Sequence, residues 1–270
     1  MLTALRKHWP EYLMEAFGLF AFMIGAGTFT TLFDYPGSPV HQAIPSEFLR
    51  RVLLGLLMGL VTAGIIYSPW GKRSGAHINP AVTIAFYRLG KIAPWDAAFY
   101  VIFQFAGAIL APIVLLLVLG GPFAHAKVHY AATVPGPEGV YVAFVAEFII
   151  TFVLMLVALC AINTKKLEHW TGACIAALIA LYIAIEAPFS GMSMNPARSV
   201  GSAVTAHMWM GMWLYLIAPT LAALLATEIY MRVRRSEVTG CVKLYHDHSA
   251  RCIFCDYHEG PRYPVPTANT

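Results

Sequence analysis

The stretches GAHINPAV, Gly75 to Val82, and GMSMNPAR, Gly191 to Arg198, each contain Asn-Pro-Ala, with the two asparagines 116 positions apart. Proline suits the first position of a helix, where its missing N–H would lack a partner in any case, and a preceding Asn caps such a helix through its side-chain oxygen. Both stretches therefore read as helix starts. The apolar segments that follow, Asn79 to Arg88 and Asn195 to Thr205, are too short to cross a bilayer. Ten helical residues rise about 15 Å, half of a hydrocarbon core of roughly 30 Å. Two such half-helices, entering from opposite faces with their Asn-Pro ends inside the bilayer, add up to one crossing.

Around these boxes the chain is apolar throughout. Of its 270 residues 59% are hydrophobic and 12% charged, and the apolar residues form long runs rather than stripes, which excludes an ordinary soluble domain. Runs of spanning length lie at Tyr12 to Leu32, Phe48 to Tyr67, Trp95 to Leu119, Tyr141 to Asn163, Trp170 to Phe189 and Trp209 to Met231. The first is too long for a cleaved signal sequence and contains Glu15. With both termini cytoplasmic, fourteen Lys and Arg residues fall inside against Arg50, Arg51 and Lys127 outside, as the positive-inside rule requires. The net charge of +4 thus reflects orientation in a plasma or inner membrane, and no nucleic-acid partner is expected.

Three spans and one half-helix recur in each half of the chain. Glu15 in MEAFGLF is matched by Glu147 in AEFIITF. The expected fold is all-α: six transmembrane helices plus two re-entrant half-helices, arranged as an inverted repeat with a transport site near the midplane. Residues 10–120 form repeat one and 140–235 repeat two of a channel domain over 1–235, and the Gly- and Pro-rich 120–140 segment joins them across the outer surface. Residues 236–270 read as a polar cytoplasmic extension, disordered at its end.

Non-helical backbone survives at membrane depth only where it is packed in protein or lines a watery path. The stretches before the half-helices, Gly75, Ala76 and His77 in one and Gly191, Met192 and Ser193 in the other, are therefore expected to line the pore with their carbonyls. Asn79, Pro80, Ala81 and Asn195, Pro196, Ala197 would meet at the midplane, where facing helix N-termini and both side-chain amides donate to a neutral solute and disfavour cations. Arg198, one turn further, reads as a fixed cation at a constriction, since a charge at such depth is costly unless it faces water or a partner. Glu15 and Glu147 read as buried acceptors bracing the loops rather than as proton carriers. No nucleophile and base recur together in the loops, so an enzyme is not expected.

These residues resemble the aquaporins and aquaglyceroporins, the major intrinsic protein family. The likeness runs from Tyr12 to Arg235 and is carried by SGAHINPAV, GMSMNPARSVGSAV, the two span glutamates and QFAGAI at Gln104 to Ile109. It implies an hourglass fold with a pore in every subunit, a homotetramer, no required cofactor, and passive passage of water or small neutral solutes. Carried over position by position, the family's filter falls on Arg198, Met192, Ile183 and either Met58 or Gly59. A Met/Ile/Met/Arg ring departs from the strict water-channel pattern, which has an aromatic residue and a His. Ser199, Ala203 and Tyr215 lean toward water, and Leu216 leans the other way.

Of five cysteines, Cys160 and Cys174 fall in spans and are expected to be buried thiols. The others lie in the tail, where Cys241, His246, His248, Cys252, Cys255 and His258 include one Cys-x-x-Cys pair and form a candidate zinc site. Such a site would order the tail beneath the pore, so the alternative readings are an aquaglyceroporin-type small-solute facilitator, from the resemblance, and a metal- or redox-responsive membrane sensor, from the tail.

Overall fold

The structure is a computed structural model that describes residues 1–234, 241–246 and 252–255. Its helices, in chain order, are α1 (Leu2–Asp34), α2 (Pro39–Ala43), α3 (Glu47–Tyr67), α4 (Pro69–Ser74), α5 (Pro80–Arg88), α6 (Pro94–Leu119), α7 (Gly121–Ala124), α8 (Val140–Ile162), α9 (Thr171–Ile185), α10 (Ala187–Ser190), α11 (Pro196–Ala206) and α12 (Met212–Val233). No strand occurs among the described residues. Six helical segments are long and apolar enough to cross a membrane, and α5 and α11 are the half-helices. Their exposed faces carry a belt of large apolar side chains, among them Leu56, Leu60, Leu117, Tyr141, Val145 and Leu221. Lipid is the solvent that such a belt requires.

The packing repeats itself. Helix α1 lies on α6 as α8 lies on α12, and each half-helix crosses to the other repeat, α5 onto α12 and α11 onto α6. Helices α3 and α9 close the bundle against each other. A Cβ on Gly55 would come 2.5 Å from the Ala180 carbonyl oxygen, and one on Gly59 would come 2.7 Å from that of Ala176. The two backbones therefore touch directly, which is how helices associate where apolar burial supplies no driving force.

Several boundaries differ from those read in the sequence. Helix α1 begins at Leu2, ten residues before the expected span. Its first turns are tied down by side chains: His8 Nδ1 and the Tyr12 hydroxyl lie 2.8 and 2.5 Å from Asp96 Oδ1, and Arg73 pairs with Glu11 at 3.0 Å. Span five stops at Ile185 rather than Phe189. Pro188, placed inside the following short α10, has no N–H with which to continue the ladder. Cys160 is exposed on the outer face of α8 and Cys174 only half-buried, because apolar side chains in a membrane bundle face lipid as readily as the core. The described tail segments, 241–246 and 252–255, are not a detached extension. Val242, Leu244, Ile253 and Phe254 are buried in the same apolar cluster as Met58, Ile66, Phe86 and Met155.

Candidate functional site

Each half-helix is positioned by the loop before it, and the two loops are built alike. Gly75, Ala76 and Ile78 have φ of +102°, +53° and +39°, and Gly191, Met192 and Met194 have +78°, +49° and +54°. Side chains other than glycine rarely adopt these values. They persist because the loop N–H groups are captured. Glu15 accepts from His77 N at 3.1 Å, Ile78 N at 2.6 Å and Ser74 Oγ at 2.7 Å. Glu147 accepts from Ser193 N at 2.6 Å, Met194 N at 2.7 Å and Ser190 Oγ at 2.7 Å. Tyr100 and Tyr215 complete the pair, each donating at 2.6 Å to the carbonyl of Ser74 or Ser190.

The same symmetry governs the tips. Asn79 Oδ1 accepts from Ala81 N at 2.9 Å, and Asn195 Oδ1 from Ala197 N at 3.0 Å and Arg198 N at 3.2 Å, so both side chains cap their helices. Each amide nitrogen also reaches the opposite loop: Asn79 Nδ2 donates to the Met194 carbonyl at 2.7 Å and Asn195 Nδ2 to that of Ile78 at 2.8 Å. This exchange was not legible in the sequence, which suggested only donation into the pore. An amide carries two N–H groups, and one of each holds the two halves together.

Both asparagines border a cavity of about 70 Å³ that is otherwise mostly apolar, lined by Ile66, Val82, Met155, Ile179 and Met192 among others. At about 10–15 Å³ needed for one water on this measure, it has room for several waters. Met58, Ile183 and Met192 belong to one contiguous buried cluster. Arg198 stands outside the ion pairs found among the described residues, and its buried Nη1 has no hydrogen-bond partner. Glu147 and Glu186 lie within Coulombic reach of its guanidinium. Glu186 was not anticipated from the sequence. It stands at the N-cap position of α10, its carboxylate in very close contact with the Ser190 hydroxyl that Glu147 also faces. No counterpart in the first repeat pointed to it. Gln104, which donates to Glu15 at 2.9 Å, and Thr133, which ties the inter-repeat linker to Ser199 at 2.7 Å, were also missed as site residues.

In the tail, the ligand atoms of Cys241, His246, Cys252 and Cys255 all lie within 4.8 Å of one another. His248 and His258 lie outside the described residues. The Cys241 and Cys252 sulfurs are 3.5 Å apart, and Cys255 Sγ is 3.9 Å from His246 Nε2. The hydrogen bond from Cys241 pushes the Cys252 thiol down to about 5, while the same bond and burial push Cys241 up. A tetrahedral Zn²⁺ with Zn–S bonds of about 2.3 Å has edges of roughly 3.5–3.8 Å, close to these separations. The donor set fits zinc.

Six spanning helices, two half-helices meeting asparagine to asparagine and a cavity at their tips define a polytopic membrane pore protein. The chain belongs to the major intrinsic protein family, whose model matches residues 5–230. It is similar to Aquaporin NIP1-1 of Arabidopsis thaliana, 38% identical over 215 residues that cover 78% of this chain and 72% of that protein. Nodulin-26 of Glycine max is 37% identical over 186 residues, covering 68% and 66%. Among solved structures, the aquaglyceroporin from Plasmodium falciparum shares the fold, with a TM-score of 0.71 at 21% identity, covering 84% of this chain and 97% of that one.

Proposed function

We propose that the protein is a passive channel that conducts water first, and glycerol or similar small neutral solutes second, while excluding protons and ions. The observation that carries this reading is the meeting of Asn79 and Asn195 at facing half-helix N-termini beside a continuous small cavity. The N-terminal N–H groups bring partial positive charge to the midplane. A water that accepts there from both asparagines has its oxygen lone pairs occupied and cannot pass a proton onward, and a cation is repelled. Arg198, with Met58 (or Gly59), Ile183 and Met192, forms the selectivity filter. The unpartnered Nη1 is a donor waiting for a solute oxygen, while the Met and Ile walls give an adaptable, weakly polar ring. Glu15 and Glu147 hold the loops and do not relay protons through the pore. The working unit is a homotetramer in the plasma or inner membrane, with both termini cytoplasmic. Conduction needs no cofactor, so a metal in the tail would regulate rather than react.

The test is stopped-flow light scattering of proteoliposomes under water and glycerol gradients. With a membrane-permeant metal chelator present, water permeability well above that of empty vesicles, with glycerol slower, is expected, and Arg198→Ala should admit cations that the parent excludes. Permeability no higher than that of empty vesicles in the presence of the chelator would defeat the channel reading, and glycerol passing more readily than water would reverse the order of substrates.

A further inference from the structure

The tail cluster does not stand apart from the pore. Cys241 and His246 bracket Val242 to Tyr245, and Cys252 and Cys255 bracket Ile253 and Phe254. These bracketed residues are the ones that enter the channel mouth, on the face where the spans end at Tyr67 and begin near His169. Leu244 N donates to the Gly75 carbonyl at 3.0 Å. His77 Nε2 lies 2.9 Å from the Val242 carbonyl. A carbonyl only accepts, so Nε2 carries the hydrogen and Nδ1 faces the Thr83 hydroxyl at 3.3 Å. Phe254 stacks on the His77 ring with centroids 5.4 Å apart. Lys243 Nζ donates to the Lys72 carbonyl at 2.8 Å, and Tyr245 packs edge-on against Tyr67 at the end of α3 and at a tilt against His169 before α9.

The segment thus bridges three sides of one mouth, and the Leu244 side chain lines the same cavity as Asn79 and Asn195. Its backbone occupies the Gly75 carbonyl and the His77 ring, groups that the sequence offered to passing solute. Within the bracketed stretches Val242, Leu244, Ile253 and Phe254 are buried, whereas the four ligand residues are only half-buried.

We infer that Cys241, His246, Cys252 and Cys255 bind one Zn²⁺ and that this ion locks Val242 to Leu244 as a plug in the pore mouth, so that metal occupancy closes the channel. The inference rests on the channel reading and adds a regulator to it. Short segments joined by four ligands gain their fixed shape from the metal, because a site of this kind is not assembled without it. Loss of the ion frees the plug to leave, and the His77 ring and the Gly75 carbonyl then become available to water.

The experiment uses the full chain in proteoliposomes, with zinc content measured by mass spectrometry of the metal and water permeability by stopped flow, before and after a membrane-permeant zinc chelator. One zinc per chain and low permeability are expected, rising several-fold on chelation and falling again when zinc is restored. The double variant Cys252→Ser/Cys255→Ser should lose the metal and be open throughout. Leu244→Ala should keep the zinc but conduct faster than the parent, which separates the stopper from its clamp and does not depend on the double variant folding. Bound zinc with identical permeability in all states would overturn the plug while leaving the channel reading intact. A chain that conducts but holds no zinc, or that carries a Cys241–Cys252 disulfide in its place, would overturn the metal assignment. No conduction in any state, including Leu244→Ala, would sink the channel reading and the plug together, even with zinc bound.

Discussion

At the level of single residues, the two glutamates show how a strained loop is held inside a membrane. Ile78 is β-branched and sits at φ +39°, a conformation that costs about 1–3 kcal/mol. It is retained because Glu15 Oε2 takes its N–H at 2.6 Å. Removing either carboxylate orphans two buried N–H groups, at about 1–3 kcal/mol each. Glu15→Leu and Glu147→Leu are therefore expected to lower the thermal unfolding midpoint in detergent markedly. The Gln variants, which keep one acceptor oxygen, should lose less, and unchanged midpoints in all four would refute the bracing role. The importance of these glutamates was legible in the sequence, since a paired acid in equivalent spans needs a reason. Their partners were not, because Ser74, Ser190 and Gln104 reach them only through the fold.

At the level of elements, α3 and α9 pack closely because Gly55 and Gly59 have no side chain where the Ala180 and Ala176 carbonyls approach. Gly64 lies on the same helix with open space around its Cβ position. Gly55→Leu should drive the two helices apart and reduce the yield of monodisperse protein on size exclusion. Gly64→Leu should be tolerated, and equal losses from the two would mean that helix propensity rather than contact was at fault. The half-helices were readable from length alone. Their neighbours were less so, because each crosses to the helix of the opposite repeat, α5 to α12 and α11 to α6.

Taken as a whole, the molecule has two faces, and the proposed orientation of these faces rests on the distribution of Lys and Arg between them. A cysteine introduced at exposed Gln42 should react with an impermeant maleimide added outside intact cells, and one at exposed Lys165 should react only after the cells are opened. Labelling in the reverse pattern would invert the assigned topology and move the tail plug to the outer mouth.

Length, hydropathy and the doubled Asn-Pro-Ala boxes were enough to determine the six spans, the two half-crossings and the residues that meet between them. A bilayer imposes a fixed thickness and forbids unsatisfied backbone, so these features follow from local composition. The exchange of amide hydrogen bonds between Asn79 and Asn195 and the opposite loops, the Glu186 carboxylate near Arg198, and the tail seated against His77 were decided only by tertiary structure. The first and the last join groups more than a hundred residues apart, as His77 and Val242 are, and Glu186 meets Arg198 only because the loop between them folds back, so periodicity and spacing carry no information about such meetings.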